Sequence, residues 1–243
     1  MSQIQPTRSV SPLKKLVTFT SQTAGLEKTL RLIQAVSWVV AEVTDDKTLA
    51  TQCVTARNQL ALTRRYFRLL DFYGCFERVL DLLTQPASTG TFLSVLELAQ
   101  YTFLGLYLLL EDLTILHDMG VAKVDWYRPV LTEANKFWFY AIALSIVRAL
   151  WGLLFTSSAS STPASSKTGG KKAADEKEKK KKKQNPSAPS KWPFLKRLVI
   201  DVCDLTLPGS FIGWVPATGL QIGGGMVVST VLAGQGVWAG MGL

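Results

Sequence analysis

The chain has 243 residues, 47% of them hydrophobic, and a formal net charge of +9, totals that allow a sizeable core and exclude a chain too polar to fold. The distribution says more: no charged residue occurs from Leu205 to Leu243, a run of 39, while ten lysines against Asp175, Glu176 and Glu178 put +7 into residues 167–191. That concentration excludes a nucleic-acid surface as a partner site, because the lysines sit in one low-complexity tract without aromatics for base stacking.

Residues 1–25, opening "MSQIQPTRSVSPLKK", are polar and basic, lack the apolar stretch of a signal peptide, and read as a disordered N-terminus. Residues 26–83 read as an amphipathic helical region. Its first helix, 26–43, carries apolar positions at Leu30, Ile33, Val36 and Val40. After a polar break at 44–47, one long second helix is expected from Leu49 to Leu83. At 100° per residue, Leu62, Tyr66, Leu69, Tyr73, Phe76 and Leu80 fall on one side of it, and Arg57, Arg64, Arg68 and Arg78 on roughly the other. Large apolar groups opposite arginine suit an anionic headgroup boundary, and suit a packed interface as well. Leu60, Phe67 and Leu82 near the basic side, and Asp71 among the arginines, make the face less clean.

After the loop "TQPASTGT", residues 92–155 hold two apolar helices that form a candidate transmembrane hairpin. Residues 92–110 and 137–155 are each long enough to cross a hydrocarbon core of about 30 Å at 1.5 Å per residue. Each contains a costly charge, Glu97 and Arg148, at similar depth from the same end, and the two are expected to pair. Residues 156–191, rich in Ser and Lys, read as a disordered linker. Residues 192–243 form a glycine-rich membrane segment with a spanning candidate at 209–234. Gly209/Gly213, Gly219/Gly223 and Gly236/Gly240 have the small-xxx-small spacing of close helix contact, which points to a homo-oligomer.

The fold class expected is therefore an all-α integral membrane protein. No Gly-rich phosphate loop, HExxH, nucleophile elbow or CxxC occurs, so neither an enzyme nor a cofactor or metal site is expected. His117, beside acids in "EDLTILHD", reads as a surface residue, and Cys53, Cys75 and Cys203, odd in number and widely spaced, read as reduced thiols.

Three stretches in order resemble the Pex11 peroxisomal membrane protein family, with a fungal-type member the nearest in character. "EKTLRLIQAVSW" is similar to an N-terminal pattern at Lys28, Leu30, Arg31, Ile33 and Gln34, and "ARNQLALTRRYFRLLDF" to the helix that follows. "DVCDLTLPGSFIGW" is similar to the C-terminal signature at Asp201, Cys203, Asp204, Leu205, a Pro208-Gly209-Ser210 turn, Gly213 and Trp214. The resemblance implies an integral peroxisomal membrane protein with a cytosolic N-terminal region. It also implies that the helix matching residues 57–83 inserts into the cytosolic leaflet, elongates the membrane, and that dynamin-related fission machinery is recruited. Two other readings stay open: a small-metabolite pore lined by Glu97, Gln100 and Arg148, and a passive membrane anchor.

Overall fold

In the computed structural model, which describes residues 11–84, 91–155 and 191–241, every regular element is helical. The lysine-rich tract at 156–190 and the first ten residues lie outside the described residues. The helices are α1 (Pro12–Ser21), α2 (Thr23–Val43), α3 (Lys47–Phe67), α4 (Asp71–Thr84), α5 (Thr91–Leu113), α6 (Ile115–Asp118), α7 (Tyr127–Phe155), α8 (Trp192–Phe211) and α9 (Gly219–Gly240).

Part of the stretch expected to be disordered is helix α1. Ser11 caps it by accepting from Lys14 N at 3.3 Å, and Pro12 opens the first turn. What holds it is distant in sequence: Phe19 packs on Trp238 of α9 with ring centroids 5.5 Å apart. A local reading of "PLKKLVTFTS" cannot see that contact.

The long second helix is two helices. Arg68, Leu69 and Leu70 form a turn between α3 and α4, with Leu70 at φ +70°. That conformation costs a non-glycine residue roughly 1–2 kcal/mol. It is held from α5, where Asp112 accepts from Leu70 N at 3.3 Å and Glu111 pairs with Arg68 at 2.9 Å. The Pro208-Gly209-Ser210 stretch, expected as a turn, is the last turn of α8, and the reversal comes after it, with Gly213 at φ +78°. A Cβ on Gly209 would lie 2.5 Å from Val215 Cγ2, so glycine is what lets the chain fold back tightly. The uncharged span is accordingly Gly219–Gly240, started by a capping box between Thr218 and Gln221, and not 209–234.

Packing runs from neighbour to neighbour. α4 lies on α5, α5 on α7, α7 on α8, α8 on α9, α9 on α2 and α2 on α3. The turn at 68–70 then returns the chain from α3 to α4, so seven helices close a ring. Three of them, Phe92–Leu113, Tyr127–Phe155 and Gly219–Gly240, are long and apolar enough to cross a membrane.

Candidate functional site

The ring has an interior, and it is charged. A cavity of about 700 Å³ is lined from all seven helices, by Glu27, Arg31, Arg64, Arg68, Glu111 and Asp204 among others. Arg31 of α2 reaches Asp204 of α8 at 2.5 Å and Ser229 of α9 at 3.3 Å. Arg64 pairs with Glu27 at 2.7 Å and donates to Gln34 at 2.8 Å. Arg65 pairs with Asp118 and donates to the Glu111 carbonyl and, at 2.6 Å, to Thr114. Tyr107 donates to Glu111 at 3.0 Å. The gap between α3 and α5 is thus bridged by arginine rather than by apolar contact.

Charge sets the local titration. Burial would raise the Glu27 carboxyl, but the charges of Arg64 and then Lys28 outweigh it and bring the pKa down to about 2. Arg64 is itself pushed down, first by burial and then by the nearby Arg31 and Arg68, against the pull of Glu27. Glu27 is therefore ionised at neutral pH and paired with a guanidinium, which is how a buried charge persists in a protein interior.

Two smaller spaces adjoin the cavity. One of about 210 Å³ shares Lys28, Arg31 and Asp204 with it, and shares Gln100, Ser145 and Arg197 with a third. The third, of about 560 Å³, lies between α5, α7 and the start of α8. There Arg148 meets Glu97 at 3.1 Å and Gln100 at 2.6 Å, and Arg78 of α4 meets the other Glu97 oxygen at 2.8 Å. The two intramembrane charges singled out in the sequence are therefore together, joined by a third group that depth arithmetic did not include.

The arginines of the amphipathic stretch all have partners within the chain. Arg57 lies over the Trp38 ring at 4.5 Å, Arg64 and Arg68 are turned into the ring, and Arg78 is on Glu97. Arg64 and Arg68 thus face carboxylates inside the chain, whereas Arg57 and Arg78 keep half-exposed side chains. The apolar set divides: Tyr66, Leu69, Tyr73 and Leu80 are exposed, while Leu62 and Phe76 are half-buried. Leu70 and Leu83 join the exposed group at 63% and 64%. Of the glycines proposed for oligomer contacts, Gly219 faces Glu42, Gly223 faces Val39, Gly209 faces Val215, and Gly213 makes the turn. Each of these four has a use inside its own chain, whereas a Cβ on Gly236 or Gly240, the third pair, would meet nothing within 4 Å. His117 stacks on Tyr127 at 3.9 Å and accepts from Val124 N at 3.0 Å, holding the α6–α7 connection.

Sequence reasoning about the site missed Glu27, Arg65, Glu111, Asp118 and Arg197, and gave Arg31, Asp201 and Asp204 no role beyond the resemblance. A signal existed in α2, where Glu27, Arg31 and Gln34 recur at helical spacing on an otherwise apolar helix, and all three are buried. Among the described residues, buried polar side chains are nearly as numerous as buried apolar ones, while many large apolar side chains face outward. A soluble protein rarely exposes so much. A helical membrane protein with a charged interior is the class this arrangement defines.

The family described as Peroxisomal biogenesis factor 11 (PEX11) matches residues 13–238. The chain belongs to that family, which implies a peroxisomal membrane protein with a part in peroxisome proliferation. No curated protein and no solved structure matches it.

Proposed function

We propose that this protein bends and elongates the peroxisomal membrane by wedging the outward apolar surface of α3 and α4 into one leaflet, the cytosolic one. The observation that carries the reading is the exposed series Tyr66, Leu69, Leu70, Tyr73, Leu80 and Leu83. Apolar groups inserted at the head–tail boundary add area to one leaflet and favour curvature. The arginines contribute by holding α3 and α4 in this orientation through Glu27, Glu111 and Glu97. Self-association of many copies sums a small bias into a tubule, and family membership supports recruitment of dynamin-related fission machinery to it. The test is reconstitution of the full chain in anionic vesicles with electron microscopy. Tubules should form with the wild type and be lost in the Leu69→Ser/Tyr73→Ser/Leu80→Ser variant, whose helicity by circular dichroism is unchanged. Equal tubulation by both would remove the wedge.

A second reading is favoured by the adjoining cavities. Their shared charged and polar lining, Arg31, Asp204, Gln100 and Arg197, runs through the ring and supports passage of small polar solutes. Solute release from the same vesicles, in the absence of tubules, would favour it over the wedge.

A further inference from the structure

Helix α1 has ten residues, too few to hold a helix alone in water, where about 12–15 are needed. At 100° per residue Leu13, Leu16 and Val17 share one face, with Phe19 at its edge, while Lys14, Lys15 and Thr18 take the opposite side. Of the apolar set only Phe19 is buried in the protein, where it packs on Trp238 of α9. Gly25 lets it dock there, since a Cβ at that position would strike the Phe19 carbonyl. Leu13, Leu16 and Val17 are left 71%, 49% and 58% exposed. One ring contact thus fastens one end of an amphipathic helix whose apolar face the described residues leave largely uncovered.

Its level in the fold follows from contacts further along. Gly219 of α9 faces Glu42, Gly223 faces Val39, and Ser229 meets Arg31. α9 and α2 therefore run antiparallel, and the end of α9 lies beside the start of α2. Arg57 on Trp38 and Arg64 on Glu27 set α3 antiparallel to α2, which brings the turn at 68–70 to that same end. Arg68 on Glu111 adds the end of α5. Since α5 and α9 are both long and apolar enough to cross a membrane, this end of the ring is a membrane boundary. α1 lies there beside Trp238, a residue type that gathers at the headgroup level.

We infer that α1 is a surface-lying membrane helix: Leu13, Leu16 and Val17 enter the head–tail boundary of an anionic bilayer, and Lys14 and Lys15 meet its headgroups. Two observations select lipid over a second copy of the chain. The exposed face belongs to a helix fastened at bilayer level, and the side opposite it is cationic, complementary to anionic headgroups and repelled by its own kind. α1 and the turn at 68–70 then occupy the same leaflet. α1 shares no residue with the α3–α4 surface, so its insertion holds whether or not that surface bends a membrane.

The test is fluorescence of the full chain in vesicles. Leu16→Cys or Lys14→Cys carries the dye NBD in a Cys53→Ala/Cys75→Ala/Cys203→Ala background whose helicity by circular dichroism is unchanged. In phosphatidylcholine vesicles containing phosphatidylglycerol, dye at position 16 should emit as in an apolar medium. Spin-labelled lipid should quench it, most strongly with the label roughly 5–10 Å into the boundary. Dye at position 14 should stay in water. Lys14→Gln/Lys15→Gln should cut quenching at position 16 to its level in phosphatidylcholine alone. Leu69→Ser/Tyr73→Ser/Leu80→Ser should leave it unchanged, which separates failure of the wedge from failure of this site. Dye at position 16 that remains in water would overturn the inference. Dye that leaves water without quenching by lipid would overturn it too, because protein would then be the cover. Equal quenching at positions 14 and 16 would remove the proposed orientation, and equal quenching with and without phosphatidylglycerol would remove the role of the lysines.

Discussion

Between α5 and α7 the contact is made by rings: Tyr107 stacks on Trp138 at 5.0 Å, and Phe103 on Phe137 at 5.9 Å, with Leu108 and Ala134 buried beside them. Between α2 and α3 the inward side is Glu27, Arg31, Gln34, Arg64 and Arg65, while Ile33 and Val36 of α2 face outward at 48% and 47%. Both hairpins belong to one ring, yet one is closed by dispersion and the other by charge. The difference shows that an amphipathic helix in this molecule is turned inside out, with its polar stripe as the buried one. Lipid is the natural neighbour of the surface that remains.

Breaking the charged bridge from α3 to α5 and α6 should have the largest effect. Arg65→Ala leaves Glu111 and Asp118 without this cation and removes the donor to the buried Thr114. Loss of one partner of a buried pair costs about 3–5 kcal/mol. A fall in Tm of the purified protein should exceed that of Phe103→Leu, a ring deletion in the α5–α7 hairpin. If the ring deletion were the more damaging, charge would not be what closes the α3–α5 gap.

The next effect lies where α4 meets the α5–α7 hairpin. Glu97→Arg places a third cation against Arg78 and Arg148, and an unpaired charge in a span costs about 2.5–3.5 kcal/mol on insertion scales. Adding Arg148→Glu restores one pair but leaves the new cation at position 97 opposite Arg78, so membrane insertion should recover only in part. Adding Arg78→Glu as well should complete it. Full recovery with the double change alone would mean that Arg78, with its half-exposed side chain, contributes nothing at this site.

Acid separates the two hairpins without mutation. Glu27 has a folded pKa of about 2 against 4.5 for an unperturbed group. A depressed carboxyl stabilises the fold fully above pH 4.5, and that contribution is lost as pH falls from 4.5 through about 2. The lost stabilisation is on the order of 3 kcal/mol at most. Thermal melts across this window should show a steeper decline for the wild type than for Glu27→Gln, since the variant has no proton to take up there. Parallel curves would mean that Glu27 does not govern the acid response of the α2–α3 hairpin.

Legibility in the sequence follows the same division. The spans α5 and α7 could be found from apolar length alone, and setting Glu97 level with Arg148 needed only two segment lengths. Periodicity gave α3 its two faces but carries no sign, so it could not say which face was outside. The break at 68–70 was hidden for another reason. Nothing in "YFRLLDF" is a breaker, and Leu70 takes its positive φ because Asp112 and Glu111, more than 40 positions away, hold the turn. Arg31 and Asp204 meet across 173 positions, a contact that no local pattern encodes.

The smallest predicted effect decides how the glycines are used. A Cβ on Gly223 would stand 3.0 Å from Val39 Cγ2 and 3.3 Å from Val39 N, whereas one on Gly224 meets nothing within 4 Å. Gly223→Leu must therefore part α9 from α2, at roughly 1–3 kcal/mol for an overpacked contact. Gly224→Leu should leave Tm unchanged, because the space beside its Cα is open. The neighbouring substitution can then report on association between copies. A lower mass by light scattering in Gly224→Leu, with Tm preserved, would place the contact between copies on the open side of α9 at Gly224. Unchanged mass in Gly224→Leu and loss of Tm in Gly223→Leu would mean that Gly223 serves packing within one chain and that the open side of α9 at Gly224 joins no second copy.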